Sequence, residues 1–156
     1  MSVLFHPLPT PEILALQSGA PDFYGQPAEL SISDGQGTPC RHCLSDTPEN
    51  AGMLILSYRP FPSDQPYAEV GLIFLCAGEC ARVEPSTELP PILKTSPDYL
   101  IKGYGNDDRI VYGTGKIVTP EKMIAAAQSI FSDPEVAYIH VRSARNNCYQ
   151  CKITRH

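Results

Sequence analysis

Apolar residues gather in two nearly continuous runs, 53–59 (MLILSYR) and 70–77 (VGLIFLCA), bounded by Gly and Pro. Runs this short read as strands buried on both faces. Residues 137–154 alternate instead. Ala137, Ile139 and Val141 interleave with Tyr138, His140 and Arg142, and Tyr149, Cys151 and Ile153 interleave with polar neighbours. Side chains two apart share a face of a strand, so the segment reads as a half-buried hairpin. Matching its apolar faces puts Val141 opposite Tyr149 and Ile139 opposite Cys151, with Arg142 opposite Cys148 and His140 opposite Gln150. Weaker strand patterns lie at 28–33, 99–104, 109–112 and 115–118.

Two helix starts share one signature. Thr10-Pro11-Glu12 and Thr119-Pro120-Glu121 each offer a hydroxyl for the N-cap, Pro at the first helical position and an acid near the positive helix end. The first helix ends near Gly19. The second carries Met123, Ile124, Ala127, Ile130 and Phe131 on one stripe and stops at Asp133-Pro134. Residues 81–98, with four prolines, read as a surface loop. The expected fold is a single α+β domain over residues 1–156, a largely antiparallel sheet with two packed helices and Pro/Gly-rich loops.

Composition adds a bias toward turns, with 16 Pro and 11 Gly in 156 residues. Charge removes two function classes. Twelve Lys and Arg against 17 Asp and Glu give −5, which argues against nucleic acid or a membrane surface as partner. No apolar run is long enough to span a bilayer. The N-terminal residues MSVLFHPLPTPEIL lack a basic start and a continuous apolar stretch, so they are not read as a secretory signal. The expected location is the cytoplasm. Charge is also uneven. After Glu135 there are no acids, while Arg142, Arg145, Lys152 and Arg155 supply positive charge. Such a tail could meet a small anionic ligand, or more simply dock on the acidic remainder.

A reducing compartment makes the six cysteines metal ligands, reactive thiols or core residues before it makes them disulfides. They form three pairs. Cys40-Arg41-His42-Cys43 sits between Gly/Pro-rich turns, where both thiolates can bend toward one ion. Cys76-Ala-Gly-Glu-Cys80 leaves a buried strand through Gly78. Together they could build a zinc site from Cys40, Cys43, Cys76 and Cys80, with His42 replacing a sulfur or standing behind one. A thioredoxin-type reading of the first pair lacks the strand before it and the helix after it. The third pair is split by strand parity. Cys151 joins the apolar face as a core residue, while Cys148 shares a face with Arg142 and His140. A guanidinium and an imidazole beside a thiol favour the thiolate, so Cys148, His140 and Arg142 form a candidate catalytic set.

Residues 103–115 (GYGNDDRIVYGTG) hold four glycines but join strand to strand, so they read as a hairpin rather than a phosphate cradle. PCRHCL (39–44), LSYRPF (56–61), PYAEVGLIF (66–74), GYGNDDRIVYGTG (103–115) and YIHVRSARNNCYQCKI (138–153) resemble the bacterial domain of unknown function 1203. The resemblance implies a bacterial, single-domain, cytoplasmic protein and assigns no site residue. Three readings therefore stand on chemistry alone: a zinc site of structural or catalytic role, an enzyme with a Cys148 thiolate nucleophile, and a non-enzymatic binding domain using the 81–98 loop or the basic hairpin.

Overall fold

The computed structural model describes residues 1–156. The strands form two antiparallel sheets. β1 (Val3–His6), β5 (Tyr99–Tyr104), β6 (Lys116–Val118), β7 (Tyr138–Ser143) and β8 (Tyr149–Arg155) make the larger, in the order β1-β8-β7-β5-β6. β2 (Glu29–Ile32), β3 (Gly52–Tyr58) and β4 (Gly71–Cys76) make the smaller, in chain order. With helices α1 (Thr10–Gln17) and α2 (Met123–Ile130), the fold is α+β and antiparallel, as expected. No helix is long and apolar enough to cross a membrane.

Each sheet packs one face against a helix, and β7, inside the larger sheet, is buried on both. Phe5, Ile101, Ile139, Val141, Cys151 and Ile153 of the larger sheet pack against Met123, Ala127 and Ile130 of α2 in a 17-residue cluster. In the smaller sheet, Leu54, Leu56, Ile73 and Leu75 pack against Ile13 and Leu16 of α1 in an 11-residue cluster. Burial of β3 and β4 on both faces is therefore corrected. Ile55 and Phe74 are half-buried and Leu72 is exposed, because α1 covers only the other face.

The β7–β8 pairing also differs from the apolar match. Ile139 lies opposite Ile153, His140 opposite Lys152 and Val141 opposite Cys151, after which Arg142 pairs with Tyr149. Gln150 is the additional residue of a bulge between Val141 and Arg142. Up to the bulge the register is two residues off, a slip that keeps Ile139, Val141, Cys151 and Ile153 on the expected face and that hydrophobic patterning cannot detect. Past the bulge the parity changes, and Tyr149 leaves the face of Cys151 to lie edge-on against His140. Beyond the bulge the ladder continues, with the Ser143 N–H donating to the Cys148 carbonyl at 2.9 Å.

Three local expectations change. β1, with no strand pattern of its own, forms because β8 supplies its partners, Val3 with Arg155 through His6 with Lys152. Residues 109–112 form no strand, only a bridge from Ile110 to Tyr104. Neither threonine caps its helix by a side-chain hydrogen bond. Thr10 is the first residue of α1 and its hydroxyl turns to His42. Thr119 precedes a 3₁₀ turn, Pro120–Lys122, that leads into α2.

Candidate metal centre

The segment after Gly37 carries the first two cysteines between the sheets. Pro39 bridges to Asp46, the Cys40 N–H donates to the Ser45 carbonyl at 2.9 Å, and the Leu44 N–H returns to the Cys40 carbonyl at 2.9 Å. The turn therefore closes on itself through Cys40. Cys40 also bridges to Phe74 of β4, which brings it beside the strand end that carries Cys76. The chain leaves that end through Gly78 to Cys80, and the Gln17 side-chain amide of α1 holds the Cys76 and Gly78 carbonyls at 2.9 Å each.

As a result the sulfurs of Cys40, Cys43, Cys76 and Cys80 lie within 4.8 Å of one another. Cys40 and Cys76 are buried, and Cys43 and Cys80 are half-buried. All four are free thiols. The Cys40 thiol is pushed toward ionisation, because the Cys43 and Cys76 thiols and the Cys76 N–H donate toward its sulfur. The Cys43 thiol is driven the other way, first by its hydrogen bond to Cys40, and Cys80 is raised first by burial.

Donors also point at the sulfurs from outside. The Cys76 N–H lies 3.3 Å from Cys40 Sγ, and Thr47 Oγ1 lies 3.5 Å from Cys76 Sγ. His42 is not one of the four clustered ligands. Its Nδ1 stands 3.1 Å from Cys80 Sγ and its Nε2 2.9 Å from Thr10 Oγ1. Of the two places open to His42, the structure shows the one behind a sulfur.

Arg41 is the residue the sequence reading passed over. It is 2 % exposed, among the most buried side chains of the protein, yet meets no carboxylate. Its Nε donates to the Tyr149 carbonyl at 2.7 Å and its Nη1 to the Pro39 carbonyl at 2.6 Å. It thereby ties the cysteine turn to β8 of the larger sheet. Burial pushes its pKa down to about 10, opposed by Cys148, Cys40 and Tyr149, and it stays charged at neutral pH. No hydrophobic period or spacing announces such a residue. Only the burial of its neighbours does.

A model of a family of proteins of unknown function, DUF1203, matches residues 37–155, which include every residue of the cluster. The chain belongs to the DUF1203 family. Searches of the curated proteins and of the solved structures return no match. The DUF1203 stretch begins just before the cysteine turn, so β1, α1 and β2 lie outside it. Thr10, which holds His42, lies in that flanking part.

The six cysteines of this DUF1203 chain thus part company. Cys151 is fully buried in the larger core. Cys148 is half-buried and precedes β8, in a cleft of about 190 Å³ shared with Arg41, Gln150 and Ser143. Its neighbouring guanidinium is that of Arg41. The expected register, Arg142 opposite Cys148, is replaced by Arg142 opposite Tyr149. Arg142 Nη1 instead approaches the Asn147 carbonyl at 3.1 Å and Glu69 Oε2 at 3.4 Å. His140 is enclosed by the rings of Phe61, Tyr104, Tyr138 and Tyr149.

His140 has a measurable consequence for this DUF1203 fold. It is 1 % exposed. Burial, then the Arg142, Lys152 and Lys102 cations, hold its pKa well below the usual imidazole value. The unfolded chain takes up a proton there below about pH 6.5 while the folded chain does not. The unfolded state therefore binds more protons as pH falls, and stability is lost on acidification. We expect up to about 1.4 kcal/mol per pH unit below pH 6.5 from this residue. Urea denaturation of the wild type and His140→Phe across pH 5–7 checks it. Equal pH slopes for the two proteins would refute the assignment.

Proposed function

We propose that Cys40, Cys43, Cys76 and Cys80 hold one Zn²⁺ in a closed site whose role is structural. One observation carries this reading: four sulfurs converge within 4.8 Å of one another, close enough to be drawn onto one ion. Thiolates about 2.3 Å from zinc stand about 3.8 Å apart, and Cys40 Sγ lies 3.8 Å from Cys80 Sγ. Four thiolates fill the coordination shell, whereas a catalytic zinc keeps a position for water.

The surroundings support the same reading. Zinc with four thiolates carries two net negative charges, and a buried dianion needs compensation. Arg41 brings a buried cation within Coulomb reach of Cys40. The Cys76 N–H and the His42 and Thr47 side chains supply donors to three of the sulfurs.

What the metal would hold together is the joint between the two cores. Cys40 belongs to the smaller core, and Leu44, four residues on in the same turn, to the larger. The Leu8 N–H donates to the Arg41 carbonyl at 2.9 Å, and the Ile92 N–H to the Leu44 carbonyl at 3.2 Å. A metal at this point fixes the smaller sheet to the turn, which Arg41 ties to β8 of the larger sheet.

Elemental analysis of untagged protein tests the proposal. We expect one zinc per chain, and intense visible absorption of tetrahedral thiolate coordination after Co²⁺ substitution. A folded protein that carries no metal and takes up neither ion would overturn it.

A further inference from the structure

On the polar face of the larger sheet, away from α2, the strands carry charge and rings. His6, Lys152 and His140 lie side by side across β1, β8 and β7. The first residues of α1 and the segment after β3 rise over this face, leaving a cleft of about 460 Å³. That volume is in the range of small-molecule sites. Phe61 and Tyr149 line its inner wall, and both rings rest on His140.

Three cations reach this cleft in a chain of net charge −5: Arg59, Arg82 and Lys152. Arg59 is paired with Asp64. The other two meet no carboxylate. Arg82 is held in place by the Leu8 and Pro7 carbonyls at 3.1 and 3.3 Å. The Lys152 ammonium stands 4.5 Å from the centre of the Tyr138 ring. Both lie close enough to His6 to press its pKa down, after burial. Like charges gathered in one cleft raise each other's energy until an anion joins them.

The cleft also carries the opposite need. Glu12 is its only acidic residue, and its carboxylate stands beside the Tyr58 hydroxyl, which lines the same cleft. A carboxylate accepts more than one hydrogen bond, so it offers a place to a further donor. A ligand that satisfies both ends carries a dianionic head and a hydroxyl. At neutral pH a phosphomonoester carries between one and two negative charges and offers several acceptor oxygens.

We propose that this cleft binds a small phosphomonoester bearing hydroxyl groups, its phosphate between Arg82 and Lys152 and a hydroxyl donating to Glu12. None of the four clustered cysteines lines this cleft, so the proposal stands without the zinc reading. Arg and Lys recognise phosphate by charge-assisted hydrogen bonds. A carboxylate oxygen accepts a hydrogen bond from a hydroxyl.

Amide chemical-shift mapping on the full chain tests this, with glycerol 3-phosphate, inorganic phosphate and malate as probes. We expect glycerol 3-phosphate to give saturable shifts confined to residues 6–12, 58–61 and 149–154 and around Arg82. Lys152→Ala and Arg82→Gln should each weaken it about tenfold, in line with loss of a charge-assisted bond. Glu12→Gln should weaken glycerol 3-phosphate and leave inorganic phosphate unchanged. Absence of saturable shifts, or equal affinity in Lys152→Ala, would overturn the site. Tighter binding of malate would overturn the phosphate assignment. Inorganic phosphate binding as tightly as glycerol 3-phosphate would overturn the role of Glu12. The amide spectra of the variants report directly whether each is folded.

Discussion

Cys40→Ser should abolish zinc retention and lower the melting temperature by at least about 10 °C. The size follows from two magnitudes. Structural zinc contributes many kcal/mol to small domains, of which a protein with its own cores needs only part. For a domain of this length each kcal/mol moves the melting temperature by about 2–4 °C, so a loss of about 5 kcal/mol gives the stated shift or more. Cys40 is the most sensitive position because it has three roles. Its sulfur receives the Cys76 N–H, it stands against Cys80 Sγ, and the residue is fully buried in the smaller core. Cys148→Ser is the matched control, since Cys148 lies outside the four-sulfur cluster. It should keep its zinc and its melting temperature. The measurements are metal content and thermal unfolding of both variants. A Cys40→Ser protein that retains zinc and melts with the wild type would refute the metal centre.

Arg41→Met should cost about 3–5 kcal/mol of stability, the range for breaking a buried charged interaction on one side. Methionine fills much of the volume, so the loss is chiefly electrostatic. The Tyr149 and Pro39 carbonyls lose their donors, and the thiolate cluster loses its buried counter-charge. A second readout separates these effects. Competition with a chelator should show weaker zinc binding in Arg41→Met, which loss of carbonyl donors alone would not produce. Arg41→Lys should recover much of the zinc affinity and little of the stability, since a point charge cannot reproduce the two-pronged geometry. Urea denaturation at saturating zinc gives the first quantity. Unchanged stability together with unchanged zinc affinity would remove Arg41 from the site.

How much of this was legible follows from what each signal depends on. The runs that became β3 and β4, the C-terminal hairpin and both helices were readable because their patterns are local. The cysteine spacing was readable too, since two short pairs flanked by turns are what a metal requires. Convergence of the pairs was not. It depends on the Cys40–Phe74 bridge, a contact between residues far apart in sequence. β1 was invisible for the same reason, a four-residue segment made a strand by its neighbour. The hairpin register failed because a two-residue slip leaves the faces up to the bulge unchanged, and no sequence pattern marks the bulge that turns Tyr149 to the other face. Burial of Arg41 and His140 was hidden, because charged and polar residues carry no periodic mark of an interior position.

The basic tail divided its charge in a way composition could not show. Arg142 and Arg145 find Glu69 and Asp98, as docking on an acidic remainder requires. Arg155 turns to the Val136, Phe131 and Asp133 carbonyls just after α2. Lys152 alone is left facing the cleft without a carboxylate.

The pairing of β1 with β8 sets an order of events during synthesis. Residues 3–6 leave the ribosome first among the strands, but their partners in 152–155 emerge last. At about 5–20 residues per second, Val3 and Phe5 spend several seconds without the surfaces that bury them. The cysteine turn and β4 emerge well before β8, so the smaller sheet and its thiols can assemble while the larger sheet still waits for an inner strand. Metal capture would then come early in the life of the chain, and closure of the larger sheet would be its last step.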